Sequence, residues 1–349
     1  MKSIKKILSS LLAILFILNI ASVTTHAAEM KFAVTAVIPE NQVDKNQTYF
    51  DLKMEPGKKQ TIQVQMKNDT DKEVIVETHA NTAITNSNGI TDYSMIDPQL
   101  DSTLKTPFSK IAKVQKETKI PAKGKVTLDV SIEMPVESFD GVILGGLYFK
   151  EKEDEKEKGT SDNVQIENKY AYAIGVVLRE TDAQVKPDMK LNEVKPGQVN
   201  ARNVVTANLQ NIKPAMLKNL SVDAKVYTEK GKDILHETKK ENLRMAPNSN
   251  FDYAISWDNK ALEPGTYRLE MKATDGDQKW EWIKKFTIEG KEAQKLNDTA
   301  VEAKKDYTLY YIIGGILLFV ALLVLVFLLG RRSKKKAANK DNKRNILIK

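Results

Sequence analysis

Three histidines and no cysteine limit the chemistry open to this 349-residue chain. His26 falls in an N-terminal stretch read below as a removable leader, which leaves His79 and His236. A thiol nucleophile is excluded, and a Ser-His-Asp arrangement would need one of these two imidazoles. No Gly-x-Ser-x-Gly elbow, His-Glu-x-x-His pair or glycine-rich phosphate loop occurs. A zinc site built from Cys and His lacks ligands. Asp275-Gly276-Asp277 has the flavour of a calcium loop, but it lacks the regular run of further oxygen ligands and its spacing suits a turn between strands. Carboxylates are plentiful, so hydrolysis by a pair of acids is the one catalytic route that composition leaves open. No catalytic residue, cofactor or metal is therefore expected. Binding is the alternative, and its best instruments are Trp257, Trp280 and Trp282. Trp280 and Trp282 stand two apart and project from one face of a strand. They pack a core or serve as surface anchors.

The elements that position these residues repeat with period two. Ile62, Val64 and Met66 alternate with Thr61, Gln63 and Gln65; Val126, Leu128, Val130 and Ile132 alternate with Thr127, Asp129, Ser131 and Glu133. Such alternation predicts half-buried antiparallel strands. Further strands are expected at 32–38, 74–78, 142–149 and 170–178, with turns at Pro56-Gly57, Asn88-Gly89, Lys123-Gly124 and Asp140-Gly141. A second set follows Lys186-Pro187, at 191–194, 204–209, 222–226, 237–243, 251–257, 267–271 and 280–288. Both histidines lie in or beside these strands and read as surface residues. Seven strands in so short a stretch are the number of an immunoglobulin-like sandwich. The charged run 151–163 reads as a long hairpin loop, since a domain cut there would leave 142–149 with an unpaired edge. The expected fold is all-β: two tandem immunoglobulin-like sandwiches, 29–182 and 187–290, and then one transmembrane helix.

Both ends carry envelope signals. Lys2, Lys5 and Lys6 precede an apolar run from 7 to 20 and small residues up to Ala28, the order of a signal peptide over 1–28. Residues 310–329 carry no charge and are long enough to cross a bilayer as a helix. Arg331, Arg332, Lys334, Lys335 and Lys336 follow directly, so the positive-inside bias places a basic tail, 330–349, in the cytoplasm. No Leu-Pro-x-Thr-Gly order precedes the helix, which reads as a permanent anchor reached through a polar stalk, 291–309. The net charge of +8 belongs to leader and tail; without them the ectodomain is near −3. Nucleic acid is not the expected partner. With no disulfide available, the ectodomain must hold itself together by apolar burial.

At this point a resemblance enters. Ile38-Pro39-Glu40-Asn41-Gln42, Tyr49-Phe50-Asp51-Leu52, Pro56-Gly57 and the run Phe139-Asp140-Gly141-Val142-Ile143-Leu144-Gly145-Gly146 are similar to the first domain of WxL-interacting proteins. These are surface proteins of low-GC Gram-positive bacteria. Asn168-Lys169-Tyr170-Ala171-Tyr172, Met245-Ala246-Pro247-Asn248-Ser249, Pro264-Gly265-Thr266-Tyr267 and Trp280-Glu281-Trp282 resemble the second domain. The resemblance implies a peptidoglycan-binding domain and a host-binding domain. It also implies WxL-domain surface proteins as partners, and host extracellular-matrix proteins as further ligands. The chain has no Trp-x-Leu tripeptide, so it resembles the interactor. The family divides near Asn168, earlier than the strand count does. Asn41, Gln42, Tyr49, Phe50, Phe139 and Asp140, with the three tryptophans, are the candidate binding residues of a membrane-anchored, non-catalytic scaffold. The alternative is a wall-modifying hydrolase that uses carboxylates.

Overall fold

In a computed structural model, structure is described for residues 30–152 and 170–301 and for four helical positions, Ile312, Ile316, Leu318 and Phe319. Residues 1–29 with the leader, residues 153–169, the stalk residues 302–309, the rest of 310–329 and the tail 330–349 lie outside the described residues. Among the described residues no helix is long and apolar enough to cross a membrane.

The alternating segments fold as strands because each can bury one face and wet the other. In the first sandwich, β1 (Phe32–Val37), β3 (Lys59–Asn68), β9 (Lys125–Glu133) and β7 (Ala112–Val114) form one sheet in the order β1-β3-β9-β7. The facing sheet is β2 (Phe50–Lys53), β11 (Ala171–Arg179), β10 (Ile143–Glu151), β4 (Val74–Thr82) and β8 (Glu117–Ile120), in the order β2-β11-β10-β4-β8. Ile62, Val64, Met66, Leu128, Val130 and Ile132 from the first sheet meet Phe50, Leu52, Val76, Leu147, Phe149, Val176 and Leu178 from the second. Between β4 and β7 come a two-stranded ladder, β5 (Ile84–Thr85) with β6 (Thr91–Asp92), and a four-residue helix, α1 (Phe108–Ile111), which drops the Phe108 ring into this core. β10 and β11, on either side of residues 153–169, pair antiparallel from Ile143↔Leu178 to Lys150↔Ala171. β2 lies parallel to β11. A bidentate pair holds it there: Arg179 donates to both oxygens of Asp51 at 2.7–3.0 Å.

The second sandwich has seven strands. β12 (Met189–Val199), β13 (Arg202–Asn211) and β16 (Ser249–Ser256) form the sheet β12-β13-β16. β14 (Leu217–Thr228), β15 (His236–Met245), β17 (Gly265–Asp275) and β18 (Gln278–Ile288) form β15-β14-β17-β18. Numbered within the domain, this is 1-2-5 against 4-3-6-7, a Greek-key order of the immunoglobulin-like kind. Pro264-Gly265-Thr266-Tyr267 supplies a hallmark of that kind: the Tyr267 hydroxyl, at the start of the sixth strand, donates to the Glu263 carbonyl at 2.9 Å.

A helix, α2 (Gly290–Thr299), closes the sandwich by lying against it. Ala293 is buried and Leu296 packs on the core. Asn297 accepts from Asn203 Nδ2 and the Leu262 N–H, both at 2.8 Å, and the Val301 N–H donates to the Ala201 carbonyl at 2.7 Å.

Candidate functional site

The candidate binding residues divide into three groups by place. Asn41 and Gln42 seal the outer edge of β2. The Gln42 amide donates to the Tyr49 carbonyl at 2.8 Å and its oxygen accepts the Asp51 N–H at 3.0 Å. Asn41 donates to the Lys53 carbonyl at 3.1 Å and exchanges two bonds with Gln60. With the Val43 N–H on the Asp51 carbonyl, residues 41–43 occupy the groups that a further strand would need. Phe50 is fully buried in the first core and Trp257 is buried in the second, so neither offers a face to a ligand. Burial of so large an apolar area outweighs any use at the surface.

Trp280 and Trp282 are half-buried on the inner face of β18, packed on the second core. The Trp280 indole donates to Asp188 at 3.2 Å. The outer face of the same strand carries Ile283, which is 73% exposed. The tryptophans thus act first as packing.

The remaining residues converge on the junction between the sandwiches. The Phe139 N–H donates to Glu180 Oε2 at 2.9 Å, and Asp140 Oδ1 accepts the Thr181 hydroxyl at 2.7 Å, which pins the approach to β10. Gly141 follows at φ +90°, with its Cβ direction 2.3 Å from the Pro214 carbonyl oxygen of the second sandwich. A side chain there would collide with backbone. The Val142 N–H then donates to that same carbonyl at 2.8 Å. Gly145 and Gly146, consecutive on β10, let one ring lie on each face of the sheet: Phe108 inside and Tyr93 outside. Tyr93, Tyr49 and Val142 surround a small junction core of Ala83, Leu144, Val177 and Ala246. Burial, and then the nearby Tyr49, pushes the Tyr93 phenol upward.

The Met245–Ser249 motif meets this region from the other domain. The Ala246 N–H donates to the Thr85 hydroxyl at 3.0 Å, Thr85 and Ser249 share a bond at 2.6 Å, and Asn248 donates to Thr103 at 3.1 Å. Beside them Asp101, from the first domain, accepts from Gln210 at 2.9 Å and from Asn250 at 2.5 Å. Burial raises its carboxyl, but bonds from Thr103, Asn250 and Gln210 together hold it below the ordinary range. Its contribution is therefore present above the unfolded carboxyl value and is lost as pH falls through the lowered one. Asp101, Thr85, Tyr93 and Pro214 carried no signal in the sequence. Ala246 to Ser249 did, as a motif without a role.

The catalytic alternatives find no support in this arrangement. His236 Nδ1 lies 2.7 Å from Asp258, and its ring stacks on Trp257 at 4.0 Å. Among the described residues no hydroxyl bonds to that imidazole. His236 is buried, not on the surface as its sequence position suggests, because its ring fills the space beside Trp257. His79 sits on β4 opposite Tyr148. Partial burial, with Lys150 and Lys116 nearby, lowers its proton affinity, and Glu77 opposes that. The Asp275 carboxylate accepts the N–H groups of Asn219 and Lys218 and so ties this turn to the start of β14. Among the described residues no group of three or more His, Cys, Asp or Glu side chains could hold a metal.

Comparison with known proteins adds two family matches. The model of the WxL Interacting Protein, peptidoglycan binding domain, matches residues 32–151. That of the WxL Interacting Protein, host binding domain, matches residues 161–298. No curated protein matches the chain. Among solved structures, a chain of a chaperone–tip adhesin complex of CFA/I fimbriae biogenesis is 11% identical, with 73% of this chain and 99% of that one covered and a TM-score of 0.32. The E. coli chaperone DraB is 13% identical, with 74% and 98% covered and a TM-score of 0.27. The Pseudomonas aeruginosa chaperone CupB2 is 14% identical, with 65% and 91% covered and a TM-score of 0.26. Scores this low carry no argument about function.

Proposed function

The chain belongs to the WxL-interacting protein family, and from that premise we propose a cell-surface binding scaffold that holds WxL-domain proteins and peptidoglycan together without catalysis. Host extracellular-matrix proteins are its further ligands. The observation that carries this reading is the junction. Motif residues of both domains are engaged in locking two sandwiches to each other, which suits a rigid platform and leaves no catalytic constellation among them. In this reading the first sandwich extends through β11 and ends between residues 181 and 186, later than the family division. The pairing of β11 with β10 and β2 supports that boundary. The leader 1–28 exports the chain, residues 310–329 anchor it, and the basic tail stays inside.

A soluble ectodomain of residues 29–301 tests the scaffold; it keeps α2, which is packed on the second sandwich. It is expected to sediment with purified peptidoglycan, to retain a WxL-domain protein in high salt, and to release no soluble muropeptides. A purely Coulombic attachment would weaken steeply with salt. Muropeptide release that disappears when one carboxylate becomes its amide would replace the scaffold by a hydrolase. Topology is tested on protoplasts with an epitope placed after Lys349. Added protease should remove the ectodomain and leave a small membrane-bound fragment with the epitope; loss of the epitope would reverse the assignment.

A further inference from the structure

The four sheets of the two sandwiches present eight edges, and seven of them are defended against pairing with another chain. β7 has three residues, one of them Lys113, and β8 carries Glu117 and Lys119 in four. β2 is sealed by residues 41–43. β12 holds Lys190, Glu193, Lys195 and Pro196, with a break of register between Leu191 and Val194. β15 carries Glu237, Lys239, Lys240, Glu241 and Arg244. β16 carries Asp252 and turns its end onto β15, where the Ser256 N–H meets the Thr238 hydroxyl. β18 carries Lys279, Glu281, Lys284 and Lys285. Charge, proline, bulges and shortness are the usual means of blunting an edge.

β1 uses none of them. Phe32-Ala33-Val34-Thr35-Ala36-Val37 has no charge, proline or glycine, and among the described residues all six pair with β3 alone. In an antiparallel ladder every second residue points its N–H and C=O away from its neighbour. The strand therefore offers a row of backbone groups to a newcomer. The side chains beside it are also incompletely covered. Phe32 meets Tyr172 edge-on at 5.5 Å, while Val34, Ala36 and Tyr172 are only half-buried against the core. Val37 and Tyr170 are 43% and 46% exposed. On the opposite sheet β2 pairs with β11 only from Val176 to Arg179, so the seam between the sheets is thinly covered at this corner.

We propose that β1 is the docking strand for WxL-domain proteins: an extended partner segment adds to the β1-β3-β9-β7 sheet and lays alternate apolar side chains over Val34, Ala36 and Tyr172. The occupant follows from the chemistry. Backbone bonding along β1 asks for an extended chain, and the half-covered seam asks for an apolar residue at every second position. The proposal rests on the family reading that WxL-domain proteins are the partners.

The test uses the full ectodomain and a purified WxL domain as probe, with Thr35→Lys combined with Val37→Lys; both side chains are exposed, so thermal unfolding should not change. WxL affinity is expected to fall about tenfold or more, since lysines on an edge oppose strand addition, while sedimentation with peptidoglycan stays as it was. In the wild type, bound WxL domain should slow amide exchange at alternate residues of β1. Unchanged affinity in the variant, or β1 amides unprotected in the complex, would overturn the proposal and leave the family reading standing. A wild type that binds no WxL domain would overturn the family reading itself. Protection of β1 in the free ectodomain would assign the edge to another occupant: a second copy if it grows with protein concentration, or residues 153–169 if deleting them removes it.

Discussion

A chain ending at Thr160 is expected to be unfolded or aggregated, whereas one ending at Lys186 unfolds in a single cooperative step. The shorter chain lacks β11, whose Ile174, Val176, Val177 and Leu178 are all buried. At about 1.5–3 kcal/mol for each buried aliphatic side chain, their loss removes on the order of 6–12 kcal/mol. That is as large as the whole stability of an ordinary domain, about 5–15 kcal/mol. Topology makes the loss worse. Among the described residues β11 is the only strand that β2 pairs with, apart from the single Gln42↔Leu52 bridge, and β10 would keep β4 but lose its ladder to β11 from Ile143 to Lys150. The longer chain keeps every strand of the first sandwich, although Leu144 and Val177 lose the second sandwich as cover. Urea unfolding followed by circular dichroism distinguishes the two. Equal cooperative stability would move the domain boundary back to the charged run.

The second large effect is expected at Gly145, where valine should destabilise the first sandwich by at least about 3 kcal/mol, at or beyond the upper end of ordinary overpacking. The Cβ direction of Gly145 lies 2.0 Å from Phe108 Cδ1 and 2.1 Å from its Cγ. Phe108 is completely buried, so its ring has nowhere to retreat. Replacing Phe108 by alanine in the same chain should restore part of the loss, because the two changes share one space and cannot add. Gly146 makes the contrast. Its Cβ direction is 2.6 Å from the Tyr93 ring, which lies on the outer face. Tyr93 Cβ is itself 2.8 Å from that direction, so rotating the ring gives no relief, and alanine there should push the 91–94 segment outward and loosen the junction. A Gly145→Val midpoint in urea equal to the wild type would show that Phe108 does not occupy that space.

How legible this was in the sequence depended on whether a residue's partner was near in sequence or had to be found in space. β3 and β9 alternate cleanly, because one face of each is wet and the other dry. β2 was not visible as a strand: it has four residues, and its parallel neighbour is more than a hundred residues away. The turn at Lys123-Gly124 was visible, but the left-handed residue is Lys123, at φ 54°, and not the glycine. The candidate site was least legible. Asn41, Gln42, Gly141, Gly145 and Gly146 stood out as motif residues, and nothing in the motifs said that they seal an edge or admit a ring. Those roles need Asp51, Pro214, Phe108 and Tyr93, which only the fold brings to them.

The docking of α2 sets a height. Because Asn297 and Val301 are fastened to the second sandwich, an anchor starting at Tyr310, as proposed above, would leave only the eight residues 302–309 between the two, a span of at most about 30 Å when fully extended. Under that proposal the sandwich matched as host-binding would be the one moored closest to the bilayer. The sandwich matched as peptidoglycan-binding rides on it through the locked junction. The sandwich matched as peptidoglycan-binding would then be borne outward like the head of a short mast, its bearing set by the hydrogen bonds of the junction. Under the proposed anchoring, a host molecule that engages residues 187–290 would have to come in past the wall polymer, to within a few nanometres of the lipid.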